Sequence, residues 1–295
     1  MVPASSTLMP QSKQSERIMN PMLNIGIRAA RAAGKVITQN LDRYDPQSIQ
    51  KKQRNDFVTE VDRKAEAEIV GVLRKAFPDH SFLCEESGLI GDKDAEFQWI
   101  IDPLDGTTNF IHGLPHFSVS IALTQKNRLF QAVIYDPMRQ ELFTAGKGEG
   151  AFLDNKRLRV SNRNQLADAL LSSGFPYREG QDLDFYQRTL RHFTERSGGV
   201  RRLGSAALDL AYVAAGRVEG CWLTGLQSWD VAAGALIVRE AGGLINDFDG
   251  GDDWMSRGEL IAASPKLHHQ MLEIMKPLSA ARKITRPTRP DTKAG

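Results

Sequence analysis

The chain has 295 residues, of which 41% are hydrophobic and 25% are charged, and its formal net charge is +2. These values are ordinary for a globular protein, and they exclude a wholly disordered chain or a strongly basic nucleic-acid-binding domain. The sequence has no run of about 18 apolar residues, so it predicts no transmembrane helix. Cys84 and Cys221 give no disulfide framework or zinc spacing, which predicts buried thiols in a reducing, cytoplasmic location.

Both ends of the chain differ from its middle. Residues 1–18 are rich in Ser, Gln, Pro and Lys and lack the apolar core of a signal peptide, so we expect them to be disordered. Residues 280–295 carry scattered Arg, Lys, Pro and Thr, which predicts a solvated basic tail. The folded part is therefore expected to lie between these two segments.

Two helices are predicted near the N-terminus. The first covers about residues 21–41 and has an amphipathic spacing, and the second keeps a helical period of apolar side chains over residues 59–77. Asp56 precedes the second helix and is a candidate cap. We interpret Thr59 as a further cap and Asp62 as a surface charge.

Two predicted strands end in acidic residues. Residues 80–84 form a short apolar run that leads into Glu85. Residues 97–101 form a buried run of aromatic and β-branched side chains, followed by Asp102 and Asp105. Open sheets bind ligands at the carboxyl ends of their strands, so these acids are expected to converge there.

The segment that starts at Asp102 sets two carboxylates three residues apart at a sharp turn. Gly106 permits close backbone approach, and the amides of Gly106, Thr107 and Thr108, if they open a helix or a nest, point donors at an anion. Shared metal ions and these amides together favour a phosphate ligand. The alternative is that Asp105-Gly106 is an ordinary turn, and this segment alone does not decide between the two.

The rest of the chain separates into hairpins and then alternating elements. Antiparallel hairpins are predicted from three apolar or alternating runs, residues 117–124, 129–135 and 140–145. After about Arg159, strands alternate with helices, including helices over 205–216 and 231–242. Asp230 lies at the start of the last of these helices, where a carboxylate would also favour the helix dipole.

Four motifs occur in order along the chain. They are Asn55-Asp56-Phe57-Val58-Thr59-Glu60-Val61-Asp62, Glu85-Glu86-Ser87, Trp99 to Phe110, and Trp229-Asp230-Val231-Ala232-Ala233-Gly234. Together they resemble the inositol monophosphatase family of sugar phosphatases, in particular its bacterial SuhB-like branch. The match begins near Met22, so Met19 is a candidate natural start, which mass spectrometry of the native N-terminus would test.

The resemblance implies a fold of the inositol monophosphatase and fructose-1,6-bisphosphatase type. This fold is a layered α+β (αβαβα) sandwich. It would form a single unit over residues 19–279, made of two fused halves at about 19–158 and 159–279. The site would lie between the halves.

The resemblance also implies Mg²⁺ as the cofactor, with two ions and, as an alternative, a weaker third near Glu85. The implied ligands are Glu85, Asp102 and the carbonyl oxygen of Leu104 for the first ion, and Asp102, Asp105 and Asp230 for the second. Glu85 and Thr107 would orient an attacking water in line with the ester oxygen, and Asp56 would support Thr107. No covalent phosphoenzyme would form.

The implied substrate is a small phosphorylated polyol such as inositol 1-phosphate. Its contacts would come from Glu85, Leu104, Asp105, Gly106, Thr107, Gly204, Ser205, Ala206 and Asp230. A helix start packed against a neighbour explains Ser205 and Ala206 equally well. Where inositol phosphatases carry a glutamate seven residues before the metal-binding aspartate, this chain has Leu223, which cannot accept hydrogen bonds from ring hydroxyls. Inositol 1-phosphate is therefore expected to be a weak substrate unless Thr224 substitutes.

Two other functions fit the resemblance. Related enzymes of the fold act on fructose bisphosphate, adenosine bisphosphate or histidinol phosphate. The SuhB-like branch is associated with ribosomal RNA transcription antitermination through protein contacts, and residues 199–217 resemble that branch closely. A homodimer is implied, with no direct nucleic-acid binding and no membrane contact. The physiological substrate, the metal stoichiometry and lithium sensitivity stay open.

Overall fold

The computed structural model describes residues 20–41, 60–176 and 181–282, and the backbone alone at 50–53 and 56–58. In these residues the helices α1 to α8 are Pro21–Asn40, Glu60–Ala76, Thr107–Ile111, Leu183–Arg196, Ala206–Ala214, Ser228–Glu240, Trp254–Arg257 and Pro265–Ala280. The strands β1 to β15 are Gln50–Gln53, Asp56–Val58, Ser81–Cys84, Gly88–Ile90, Phe97–Asp105, Ser118–Gln125, Arg128–Asp136, Glu141–Gly146, Gly150–Leu153, Lys156–Arg157, Leu170–Ser173, Gly199–Arg201, Gly220–Thr224, Leu244–Asn246 and Glu259–Ala263.

Two large sheets form the body of the protein. One has eight strands in the order β10-β9-β8-β7-β6-β5-β3-β4, antiparallel except where β3 runs parallel to β5. The other has five strands in the order β12-β11-β13-β15-β14, with β11 parallel to both of its neighbours. The predicted hairpins are β6, β7 and β8, and their antiparallel pairing confirms the prediction.

Helices cover both sheets and fill the space between them. Helices α1 and α2 pack on one face of the eight-stranded sheet, α5 and α6 lie between the sheets, and α4 and α8 cover the outer face of the five-stranded sheet. The layers therefore run helix, sheet, helix, sheet, helix, which confirms the predicted αβαβα sandwich. The division into halves near residue 158 stays a prediction.

Helix α6 shows why the middle layer needs small side chains. All residues from Val231 to Val238 are buried, because both sheets contact this helix. At Gly234 a Cβ atom would lie 2.5 Å from Cβ of Leu210 on α5. This glycine therefore sets the close approach of α5 and α6 that brings their N-terminal ends to one site.

Three further expectations can be compared with the fold. Cys84 and Cys221 are buried and free, as predicted. Within the described segments no helix is both long and apolar enough to cross a membrane. The solvated tail was predicted to begin at residue 280, but the guanidinium of Arg282 donates to both carboxylate oxygens of Glu259, at 2.6 and 3.0 Å. Arg282 is thus anchored to the fold, and the boundary of the tail stays a prediction.

Candidate metal and phosphate site

Strand β5 carries the first two acids of the site. The predicted strand ended at Ile101, but β5 continues to Asp105, and its register against β6 shifts between Asp102 and Asp105. Such an irregularity re-aims side chains at the end of a strand. Asp102 is 2% exposed and Asp105 is 9% exposed, so both carboxylates are buried in the protein.

Asp102, Asp105 and Asp230 come together as an acidic cluster. One carboxylate oxygen of each lies within 4.8 Å of the other two. Burial raises the pKa of Asp102 well above its ordinary value, and the charges of Glu85, Asp105 and Asp230 raise it further. Carboxylates that lie this close together in a largely buried site are not all ionised unless a cation balances their charge. A site made only of oxygen donors suits a hard divalent cation such as Mg²⁺.

Asp105 is held in place by the start of α5. Its Oδ2 accepts hydrogen bonds from Oγ of Ser205 at 2.6 Å and from the amide of Ala207 at 2.7 Å. Ser205 is also the N-cap residue of α5, where it accepts from the amide of Leu208. Burial raises the pKa of Asp105, and these hydrogen bonds oppose the rise. The helix start thus fixes the carboxylate and favours its negative charge.

Asp230 lies in the first turn of α6. This helix begins at Ser228, three residues earlier than predicted, so Asp230 is its third residue. Its Oδ2 accepts from the amide of Gln227 at 2.6 Å, which forms half of a capping box. The cap explains the early helix start, because it satisfies an amide that would otherwise have no partner in the helix.

Glu85 follows β3 and lies next to the cluster. Its amide donates to the carbonyl of Ile101 at 3.1 Å, and its side chain is hydrogen-bonded to Asp102. The turn after Glu85 is anchored by Glu66 of α2, which is 2% exposed. Glu66 accepts from the amides of Glu86 and Ser87 at 2.9 and 3.0 Å, and from Oγ of Ser87 at 2.5 Å. The sequence analysis did not identify Glu66.

Gly106 and Thr107 connect β5 to α3. Gly106 has φ of +102°, and a Cβ atom there would lie 3.1 Å from the carbonyl oxygen of His116, so the turn requires glycine. Helix α3 begins at Thr107. Of the two alternatives for this segment, an ordinary turn or a helix start that can bind an anion, the helix start is therefore present. Amides in the first turn of a helix have no intrahelical partner and can bind an anion.

Asp62 contacts Thr107, which corrects its interpretation as a surface charge. It is 1% exposed, and its Oδ1 accepts from Oγ1 of Thr107 at 3.0 Å. The Thr107 hydroxyl also lies 3.0 Å from the carbonyl oxygen of Leu104. The side chains of Asp56 and Thr59 lie outside the described residues. The support of Thr107 by Asp56, the cap at Thr59 and the metal contact of Leu104 therefore stay predictions.

The acids and Thr107 line one cleft, together with the predicted residues Gly204, Ser205 and Ala206. Leu223 is in its wall and is 2% exposed. The lining also includes residues that were not identified from the sequence, among them Phe175, Gln181, Arg202 and Asp209. Burial raises the pKa of Asp209 well above its ordinary value.

Comparisons with known proteins agree with this geometry. The family model described as the inositol monophosphatase family matches residues 18–279. Nus factor SuhB of Pseudomonas aeruginosa is 51% identical over 263 residues, which cover 88% of this chain and 97% of that protein. Nus factor SuhB of Escherichia coli (strain K12) is 50% identical over 258 residues, which cover 88% of this chain and 97% of that protein.

Solved structures give the same result. The extragenic suppressor protein suhB from Bartonella henselae has a TM-score of 0.83 at 42% identity, covering 87% of this chain and 99% of that one. The inositol monophosphatase from Anabaena (Nostoc) sp. PCC 7120 has a TM-score of 0.76 at 38% identity, covering 88% and 97%. The chain therefore belongs to the inositol monophosphatase family and is similar to bacterial SuhB proteins.

Proposed function

We propose that this family member is a Mg²⁺-dependent phosphomonoester hydrolase of the inositol 1-phosphate phosphatase type. The observation that carries the proposal is the buried cluster of Asp102, Asp105 and Asp230, whose oxygens lie within 4.8 Å of one another. The cluster opens into the same cleft as Thr107 and the small residues 204–206. A metal-binding floor beside first-turn amides favours a phosphate ligand.

In this proposal the acids form two metal sites. Asp102, Asp105 and Asp230 would hold one magnesium ion, and Glu85, Asp102 and the carbonyl oxygen of Leu104 would hold another. The chemistry that magnesium supplies when bound is charge neutralisation on the phosphate, a lower pKa for water and stabilisation of the leaving alkoxide. Ser205 and the amide of Ala207 keep Asp105 oriented as a ligand.

Thr107 and Glu85 would position the attacking water. When the Thr107 hydroxyl proton is directed to Asp62, the hydroxyl oxygen is left as an acceptor for a water proton. Glu85, hydrogen-bonded to Asp102, lies beside the cluster and would accept the other water proton. The oriented water would attack phosphorus in line with the ester oxygen, so the protein contributes mainly positioning and electrostatics.

The experiment that tests this proposal is phosphate release from inositol 1-phosphate, measured with and without Mg²⁺. Asp105→Asn is the control for contaminating phosphatases, because it removes a ligand charge while keeping the side-chain volume. Turnover that depends on Mg²⁺ and is lost in Asp105→Asn supports the proposal. If inositol 1-phosphate is not hydrolysed, hydrolysis of fructose bisphosphate, adenosine bisphosphate and histidinol phosphate tests whether the protein is another sugar or nucleotide phosphatase. No Mg²⁺-dependent hydrolysis of any of them contradicts the enzyme proposal.

A second function is favoured by the names of the relatives. Proteins that are 50% and 51% identical to this chain over 88% of its length are named Nus factors. We infer that this chain also contacts the transcription antitermination machinery, which would place it in the cytoplasm, and that it forms a homodimer. Binding of Asp105→Asn to that machinery separates the functions. If Asp105→Asn loses hydrolysis but still binds the machinery, the two functions are independent. If it loses both, binding of the machinery depends on the metal site.

A further inference from the structure

The wall of the cleft differs in charge from its floor. The floor is acidic, because one carboxylate oxygen each of Asp102, Asp105 and Asp230 lies within 4.8 Å of the other two. Of the described residues that line the cleft, Arg202 is the single basic one. Its Nη1 atom lies against Gly204, and the carbonyl oxygen of Gly204 is 3.2 Å from the position of a Cβ atom at Gly106. The guanidinium therefore belongs to the same cleft as the metal-binding acids and carries the opposite charge.

Neighbouring residues position the side chain of Arg202 in the cleft. Its guanidinium carbon lies 5.6 Å from the ring centroid of Phe175, whose side chain is 47% exposed. Its Nη1 atom lies 2.6 Å from the position that a Cβ atom of Gly204 would take, so only glycine at 204 admits this rotamer. Gly204 directly precedes Ser205, which binds Asp105 at 2.6 Å. A ligand bound at Asp105 would therefore lie next to the segment that carries the guanidinium of Arg202.

Besides Glu85 and the three aspartates of the floor, the described lining of the cleft has one carboxylate, that of Asp209, which is 2% exposed and presents little surface to a ligand. Cδ2 of Leu223 lies 3.7 Å from the position of a Cβ atom at Gly174, which is adjacent to Phe175. Leu223 and Phe175 are apolar, and Gln181, which also lines the cleft, is neutral. A second negative group on a ligand would therefore meet a guanidinium beside neutral side chains, with Asp209 buried behind them.

We propose that Arg202 forms a subsite for a second anionic group, so that the preferred substrates are polyol or sugar phosphates that carry a further phosphate. A guanidinium binds phosphate oxygens in a bidentate manner, which makes it suited to this task. The inference rests on the proposed phosphatase activity. It adds to that activity a selection for doubly phosphorylated over singly phosphorylated substrates.

The test compares two ligands that share one ring, inositol 1-phosphate and inositol 1,4-bisphosphate. We expect the wild-type kcat/KM for the bisphosphate to exceed that for the monophosphate by about tenfold or more, as one charge-assisted hydrogen-bonded pair provides. Arg202→Gln should remove most of this preference. Arg201→Gln is the matched control, because it removes the same charge from the neighbouring exposed residue, whose Nη1 donates to the carbonyl of Val200.

Leu223 provides a second variant. Leu223→Glu puts a negative charge in the wall, so it should lower kcat/KM for the bisphosphate relative to the monophosphate. Leu223→Gln, which adds hydrogen-bonding capacity without charge, should leave that ratio closer to wild type. The preference should also weaken as ionic strength rises, since surface charge interactions are screened.

Binding of the corresponding non-hydrolysable mono- and bisphosphonates by calorimetry keeps the two proposals distinguishable. If neither phosphate ester is hydrolysed but Arg202→Gln weakens the bisphosphonate selectively, the phosphatase proposal fails and the subsite stands. If both esters are hydrolysed with equal kcat/KM, or if Arg202→Gln and Arg201→Gln change the ratio equally, the subsite is disproved and the phosphatase stands. Thermal unfolding of each variant shows whether the preference for the bisphosphate is lost because the protein is unfolded. If Arg202→Gln is unfolded, the kcat/KM ratios of Leu223→Glu and Leu223→Gln test the subsite instead.

Discussion

Oγ1 of Thr107 donates to Oδ1 of Asp62 over 3.0 Å, and the two residues are separated by 45 positions in the sequence. Asp62 belongs to α2, whereas Thr107 opens α3 at the cleft. The hydroxyl has one proton, which Asp62 and the carbonyl of Leu104 both can accept. Helix α2 therefore sets the orientation of the hydroxyl that we propose to hold the attacking water.

Asp62→Ala should lower kcat by roughly tenfold to a hundredfold with a smaller change in KM, because the water-binding hydroxyl loses its orienting acceptor. Asp62→Asn should lose less, since its amide oxygen can still accept from Thr107. Glu60→Gln is the control, because Glu60 is exposed and is paired with Lys64 on the surface of the same helix. Steady-state kinetics with Mg²⁺ measures the effect, and a wild-type kcat in Asp62→Ala would show that Asp62 does not act through Thr107.

Glu66→Gln should destabilise the protein by about 1–3 kcal/mol. One carboxylate accepts from the amides of Glu86 and Ser87, and a carboxamide would replace one acceptor with a donor and leave a buried amide unsatisfied. Because the same turn positions Glu85, the affinity for Mg²⁺ should fall as well. Glu68→Gln on the exposed face of α2 is the matched control. Urea unfolding compares the variants, and equal free energies of unfolding would rule out this anchoring role.

The missed acids of α2 had a signal in the sequence. Asp62 and Glu66 are spaced with Ala65 and Ile69 at intervals of three and four residues, and all of them are buried. The helical period therefore places both carboxylates on the core face. Acidic residues are seldom fully buried unless they are paired, and an acid considered apart from its helix is therefore expected at the surface. An acid on the apolar face of a predicted helix is better interpreted as a buried anchor.

The site residues that the sequence identified depend on local structure. Asp102 and Asp105 follow from a buried strand that meets a glycine turn, although that segment alone does not distinguish a ligand site from an ordinary turn. Arg202 and Asp209 could not be found in this way. Their position in the cleft depends on how α5 packs between two sheets whose strands are distant in sequence.

Binding of Mg²⁺ should release protons, because burial and neighbouring acids raise the pKa of Asp102 in the metal-free protein. A folded state that holds a proton more tightly than the unfolded chain loses stability as pH rises above the ordinary Asp pKa. Bound cation removes that loss, so stabilisation by Mg²⁺ should increase with pH. Calorimetry in two buffers with different ionisation enthalpies measures the released protons. Asp102→Asn should release fewer protons on binding Mg²⁺ than the wild type. Equal numbers from the two proteins would contradict Asp102 as the source of the protons.

His268 and His269 are neighbours on α8 that differ in burial. His268 is 3% exposed and burial lowers its pKa to about 4, whereas the side chain of His269 is 75% exposed. The unfolded chain protonates His268 near its ordinary pKa of 6.5, before the folded protein does. Its contribution to stability is therefore complete above pH 6.5 and is lost as pH falls towards 4.

His268→Gln should reduce the decline in Tm between pH 6.5 and pH 4, and His269→Gln should leave the decline as in wild type. The decline should persist in part in His268→Gln, because burial also lowers the pKa of His116 to about 4. Thermal unfolding followed by circular dichroism at closely spaced pH values makes the comparison. Equal slopes for the two variants would mean that His268 takes up its proton in the folded protein as readily as in the unfolded chain, and that its burial does not control this part of the pH dependence.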